Sequence, residues 1–416
     1  MQLRGEYLYT ANGPDGFEVF DVANIDQKGF SERISTAPVS PLGQRTYIRT
    51  KYATSVTLPS TLGVDPLRLH QPENQEQTVS VLYAWVFITD REEGLVMTTV
   101  GTLLDGNPGN NFFDSKSEKT FRFNPDGKLT GAEHSFMAGT NLYVVGQNGL
   151  FVVGLRNDAL EAPILAGELT AGLDHPRSVG VQFRYAFVTD AAGLKVLDVT
   201  NPTRPRLVPG AVVPLNHAGR LYLARTRVYV ADGADGLAII DITNPEKPRL
   251  EQLYTADGQL TDTRAVQIGS INASEFALVA DGKNGLRVLQ LISPENVPNH
   301  MGFSPAPNPK LIATFPTKSP AVAVARGLDR DRVVDESGNQ TVVFGRRGSR
   351  PFKLDEMKKF YERDGDLYTV ENPGVRDGQL VTPSGAKLQP TSTFQSVDTE
   401  TEPPAPQHTR LTRRGQ

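Results

Sequence analysis

Gly193-Leu194-Lys195-Val196-Leu197-Asp198-Val199-Thr200-Asn201-Pro202 and Gly236-Leu237-Ala238-Ile239-Ile240-Asp241-Ile242-Thr243-Asn244-Pro245 are two copies of one phrase, offset by 43 residues. Each has a glycine, then an apolar strand, then an Asp-x-Thr-Asn-Pro close. Asp and Asn side chains accept bonds from backbone amides two residues on, and Pro pre-sets φ, so the close is turn chemistry. The Pro-x-x-Pro-Arg pieces that follow, Pro202–Arg206 and Pro245–Arg249, lead into a further, outer strand. Upstream of each glycine lies another apolar strand, Tyr185-Ala186-Phe187-Val188 or Val228-Tyr229-Val230-Ala231. The unit is therefore a β-hairpin with a third strand attached.

Reading outward, four more hairpins share the pattern. Their strands and turns are Tyr7-Leu8-Tyr9 with Gly16-Phe17, Ala84-Trp85-Val86-Phe87-Ile88 with Gly94-Leu95, Leu142-Tyr143-Val144-Val145 with Gly149-Leu150, and Phe276-Ala277-Leu278-Val279 with Gly285-Leu286. The steps between Gly16, Gly94, Gly149, Gly193, Gly236 and Gly285 are 78, 55, 44, 43 and 49 residues. The shorter steps match the period of about 40–50 residues expected of a four-stranded propeller blade. The longer ones are the same unit with insertions. A tight hairpin turn needs a residue that tolerates φ > 0, which explains the recurring glycine. The Leu or Phe after it is expected to point between blades.

These phrases resemble the LVIVD repeat of bacterial and archaeal proteins, most specifically over residues 180–290. The resemblance implies a β-propeller, usually in exported or surface proteins. Some relatives are joined to multihaem c-type cytochrome segments, which makes such a cytochrome or another surface-complex subunit a partner to consider. The expected fold is all-β: a propeller of about six four-stranded blades over 1–345, with insertions near 59–77 and 105–120. Seven blades is the alternative, with Arg332–Asp335 and Thr341–Gly345 as a degenerate last copy. The first unit lacks an evident strand before Tyr7, so Ala321-Val322-Ala323-Val324-Ala325-Arg326 is expected to pair beside residues 6–11 and seal the ring. Residues 346–371 read as a linker and a short amphipathic helix, with apolar residues at 354, 357, 360 and 361. Residues 372–416, rich in Pro, Thr, Gln and charge, read as a flexible or partner-ordered tail.

Composition excludes several functions. The 416-residue chain has no cysteine, which removes disulfides, thiolate catalysis and haem attachment through C-x-x-C-H. A net charge of −4 gives no electrostatic case for nucleic acid. No apolar run approaches the ~18 residues that span a bilayer. No signal peptide is visible at Met1–Glu6, and the abrupt first strand reads as a mature, truncated or partial chain. There is no G-x-S-x-G, P-loop or H-E-x-x-H. Location outside the cytoplasm is thus an expectation of the resemblance alone.

Asp90, Asp190, Asp232 and Asp281, with Asn12 as counterpart, close the first strand of each hairpin. A ring of carboxylates would suit a cation such as Ca²⁺; the other reading is an Asx-type turn bond in each hairpin. His70, His134, His175 and His217 lie between repeat cores and are the candidate metal or haem-iron ligands, set against isolated surface histidines. Arg346, Arg347, Arg350, Lys353, Lys358 and Lys359 form a basic cluster that would dock an acidic partner, or simply a solvated face. No catalytic residue and no resident cofactor are expected. The leading functional expectation is a non-catalytic binding scaffold in an extracytoplasmic assembly. The alternatives are an accessory subunit of a multihaem cytochrome complex, and a metal-dependent enzyme at the channel mouth.

Overall fold

The computed structural model describes residues 1–4, 7–21, 47–59, 85–100, 119–155, 163–271, 274–298 and 305–325, with Leu103, Phe113 and short hairpins beyond 345. The chain divides into two compact units, Met1–Tyr368 and Thr369–Gln416.

The first unit holds six four-stranded antiparallel sheets, each a meander whose strand order follows the chain. They span 2–48, 53–123, 132–169, 178–214, 221–254 and 265–315, and are blades 1 to 6 of a β-propeller. Within a blade the strands run inner, second, third, outer. The second and third strands are mostly apolar because both faces are covered. In blade 2, Trp85–Asp90 is buried at every position. Outer strands have one neighbour only, and Arg249–Tyr254 in blade 5 is correspondingly half-exposed. The register between the third and outer strands slips by one residue in blades 3, 5 and 6 and by three in blade 4, where Lys195 pairs with Val212 and Leu197 with Leu207.

The core is a set of slabs between blades. Tyr7, Tyr9 and Phe17 of blade 1 meet Val56, Val86 and Ile88 of blade 2. Equivalent slabs join blades 2 and 3, 3 and 4, 4 and 5, and 5 and 6. The residue after the repeat glycine feeds each slab: Phe17, Leu95, Leu150, Leu194 and Leu237 are all 0% exposed. Leu286 of blade 6, which faces blade 1, is only partly buried. No buried cluster joins blades 6 and 1 among the described residues.

All six repeat glycines have positive φ, from 80° to 129°. At Gly193 (φ 129°) a side chain would also run into the Val213 carbonyl of the outer strand, and at Gly285 into that of Phe315. Glycine is thus needed for conformation and for close approach of the outer strand.

The expected closure is corrected. Gln2–Arg4 is the inner strand of blade 1, pairing with Tyr7–Tyr9. Ala321 instead bridges to Gly282 of the blade 6 hairpin, as Ala53 bridges to Gly13 and Thr263 to Gly233. A strand of three residues is too short to stand out by pattern. Arg206–Pro214 is the expected outer strand, and Tyr47–Ile48 and Leu221–Ala224 are strands too. The degenerate seventh copy, most of both insertions and the 352–361 helix lie outside the described residues. Arg346–Arg347 pairs with Arg350–Pro351, and in the second unit Gly374–Arg376 pairs with Gln379–Val381.

Candidate functional site

In this meander the inner strands begin on the face where the second and third strands turn, here called the upper face. The hairpin acids sit there, each at most 1% exposed. Asp90 Oδ1 accepts from the Glu92 and Glu93 amides at 2.8 and 2.9 Å, and Asp190 Oδ1 from the Ala192 amide at 2.9 Å. These are the expected Asx turns. All four acids also reach the segment leading into their own inner strand: Asp90 accepts from Tyr52 N, Asp190 from Asp174 N, Asp232 from His217 N and Asp281 from Asp262 N. Burial alone would raise the Asp90 pKa, but the amides of Glu93, Tyr52 and Glu92 outweigh it and the net shift is downward. At Asp232 burial wins over the single His217 amide, and the pKa rises.

One regularity escaped the sequence reading. The residue two after the repeat glycine is charged in blades 1, 4 and 6, and each reaches back to its turn. Lys195 Nζ lies 2.6 Å from Asp190 Oδ2, Arg287 Nε 3.5 Å from Asp281 Oδ2, and Asn12 Nδ2 donates to Glu18 Oε2 at 2.9 Å. A charge inside an otherwise apolar strand was the available signal.

The Asp-x-Thr-Asn-Pro closes behave as expected. Asp198 accepts from Thr200 N and Asn201 from Thr203 N; Asp241 and Asn244 repeat this with Thr243 and Glu246. Each Asp also pairs with the outer-strand arginine, Asp198 with Arg206 and Asp241 with Arg249, both at 2.8 Å.

The ring axis is occupied by Arg220, one residue before the inner strand of blade 5. Its Nη2 donates to the carbonyls of Glu133 (3.0 Å) and Thr54 (3.3 Å), and its Nη1 to that of Arg177 (3.3 Å). These belong to the inner-strand starts of blades 3, 2 and 4. Burial draws its pKa down to about 10, against the pull of Glu133. The Glu133 carboxylate itself pairs with Arg91 at 2.9 Å. His134, the next residue of blade 3, accepts the Val179 N–H on Nδ1 at 3.2 Å. Burial first, and the Arg220 charge second, hold His134 well below the usual imidazole range, so it is neutral with its proton on Nε2. The Met1 amine is lowered to about 5 by the same two causes. Further cross-blade bonds surround this hub: Thr54 Oγ1 to Ala132 O (2.9 Å), Arg177 Nη1 to Ala218 O (2.9 Å) and Thr189 Oγ1 to Gly219 O (2.7 Å).

The other histidines do not join His134 in a ligand set. His175 is exposed at φ 49°, its Nδ1 2.6 Å from Asp174 Oδ1, and His217 stands beside Gly233. His70 lies outside the described residues, as do Lys353, Lys358 and Lys359. Arg346, Arg347 and Arg350 sit on a two-stranded hairpin. Among the described residues no three His, Asp or Glu side chains gather as a metal site.

The opposite, lower face carries the turns between inner and second strands. The first turn residue has positive φ at Gly139 (60°), Phe183 (55°) and Arg225 (54°). Phe183 is 94% exposed. Beside it Arg184 lies 5.0 Å over the Tyr185 ring, and the Tyr185 hydroxyl donates to Glu246 Oε1 at 2.7 Å. Composition alone did not mark Phe183, because the turn position becomes visible only once the register is known.

Fold and topology define the protein as a six-bladed β-propeller of four-stranded antiparallel blades. The family model described as the LVIVD repeat matches residues 175–210 and 227–256, within blades 4 and 5, so the chain carries LVIVD repeats. No curated protein matches the chain. Solved structures similar to it include the designed protein Ika8, at 8% identity over 79% of this chain and 77% of that one (TM-score 0.45). The β-propeller domain of Cps50 (Swd1) from Myceliophteria thermophila matches at 10% identity, over 77% and 86% (TM-score 0.46). A Bacteroides uniformis protein with a provisional 6-phosphogluconolactonase label matches at 12%, over 75% and 82% (TM-score 0.46). At these identities and scores none of them bears on what this chain does. Among the described residues no helix is long and apolar enough to cross a membrane.

Proposed function

We propose that this propeller is a non-catalytic docking module that engages another protein through its lower face at blade 4. The observation that carries the reading is Phe183, a large aromatic side chain 94% exposed on a backbone of φ 55°. A left-handed conformation costs a non-glycine residue about 1–2 kcal/mol, and an exposed ring recovers nothing in the core. Gly139 fills the same turn position in blade 3 without that cost. A strained, exposed aromatic is the kind of anchor that partner surfaces bury, with Arg184 and Arg225 at its rim. The resemblance to exported LVIVD proteins favours an extracytoplasmic assembly, and a cytochrome subunit is one partner of that kind.

Phe183→Gly separates the two roles of the residue. The variant is expected to be at least as stable as the wild type, by up to about 1 kcal/mol, because glycine relieves the turn. It is also expected to lose partner proteins captured by cross-linking in an extract of the source cells. Equal capture by both proteins, or no capture by the wild type, overturns the reading.

A further inference from the structure

We propose that Arg220 holds a small monoanion of the carboxylate class in the central channel, just inside the upper face. Three observations converge on it. First, among the described residues the partners of this guanidinium are neutral main-chain carbonyls, those of Thr54, Glu133 and Arg177. They satisfy donors without supplying a negative charge, and among the described residues the Glu133 carboxylate acts on Arg220 only from a distance while paired with Arg91. A charge removed from bulk water without a counter-charge is costly, and a bound anion offsets that cost. Second, inner-strand starts from four blades surround Arg220, yet Arg220 and His134 are both only partly buried, which leaves them reachable from solvent. Third, donors remain. A guanidinium has five N–H groups, and the three bonds leave one on Nε and one on Nη1. His134 accepts on Nδ1 and so presents Nε2–H from the residue next to the Glu133 carbonyl that Arg220 grips.

The charge count selects the ligand. Among the described residues Arg220 is the cation gripped by these carbonyls, and its neighbour His134 is neutral at pH 7. A single positive charge suits a monocarboxylate better than a phosphate dianion. Arg177, exposed at the channel mouth, adds a second positive group that draws anions inward. The proposal is independent of docking at Phe183, which lies on the opposite face.

The test is titration of the intact chain with acetate, and in parallel with inorganic phosphate, at constant ionic strength, reading Tm and the heat of binding. Acetate is expected to give a saturable rise in Tm, and phosphate a weaker one. Arg220→Gln is expected to weaken acetate binding at least about tenfold, while the surface change Arg204→Gln leaves it unchanged. If Arg220→Gln does not fold, Arg220→Lys, which keeps the charge and loses the planar donor set, takes its place with the same expected loss. No saturable acetate effect in the wild type, equal effects in the wild type and the Arg220 variant, or tighter binding of phosphate than acetate overturns the proposal.

Discussion

Arg220 Nη2 lies 3.0 Å from the carbonyl oxygen of Glu133, a residue 87 positions earlier in the chain and two blades away. With its bonds to Thr54 and Arg177, one side chain from blade 5 ties together the inner-strand starts of blades 2, 3 and 4. Arg220→Gln removes the guanidinium that donates to these three carbonyls. The expected loss is about 1–3 kcal/mol, at the lower end where channel water replaces the donor. Urea unfolding checks this. A midpoint equal to the wild type's would mean the hub bonds contribute nothing to stability.

The repeat glycines differ from other glycines of positive φ. Gly193 faces the Val213 carbonyl, whereas Gly210, at φ 73°, has open space around its would-be Cβ. Gly193→Ala is expected to cost at least about 3 kcal/mol, from strain plus displacement of the outer strand. Gly210→Ala should cost about 1–2 kcal/mol, from strain alone. Thermal unfolding of the two variants side by side measures the difference, and similar losses would contradict the close-approach argument.

His134 gives the ring a sensitivity to mild acid. Its folded pKa lies well below that of the unfolded chain, near 6.5. Below about pH 6.5 the unfolded state binds a proton that the folded state refuses, so stability falls as pH drops. The contribution approaches about 1.4 kcal/mol per pH unit below that point. His134→Gln is expected to flatten the stability profile between about pH 6.5 and 5 relative to the wild type, measured by urea midpoints across that range. Parallel profiles would show that the imidazole titrates freely in the folded protein.

Leu237 and Leu286 occupy the same repeat position. Leu237 is 0% exposed between blades 5 and 6, while Leu286 is only partly covered on the side facing blade 1. Leu237→Ala is expected to cost about 2–5 kcal/mol and Leu286→Ala about half as much or less. Denaturant unfolding of both variants decides the matter, and equal costs would show that blades 6 and 1 pack as tightly as the others.

Much of this architecture was legible from particular residues. Gly193 and Gly236 announced their turns because positive φ is a requirement of a few adjacent residues. Asp198 and Asp241 announced theirs because each bonds an amide two positions away. The site was far less legible. The Asp190–Lys195 contact spans five residues and left a trace as a charge in an apolar strand. Closure by Gln2–Arg4 left none, since three residues carry no periodicity. Phe183 read as one more aromatic until the pairing of Gln182 with Tyr185 placed it alone at a turn.

Local chemistry along the chain was enough to specify the hairpins and their turns, because each of those depends on neighbours a few positions apart, while six and seven blades both stayed open. It did not specify what meets at the axis. Thr54, Glu133, Arg177 and Arg220 come together only because successive blades rotate about a common centre, and that rotation is set by the apolar slabs between them. Contacts made by adding up rigid-body angles over more than a hundred residues leave no pattern in linear order, so the Arg220 hub and the partly covered side of Leu286 belong to the folded ring alone.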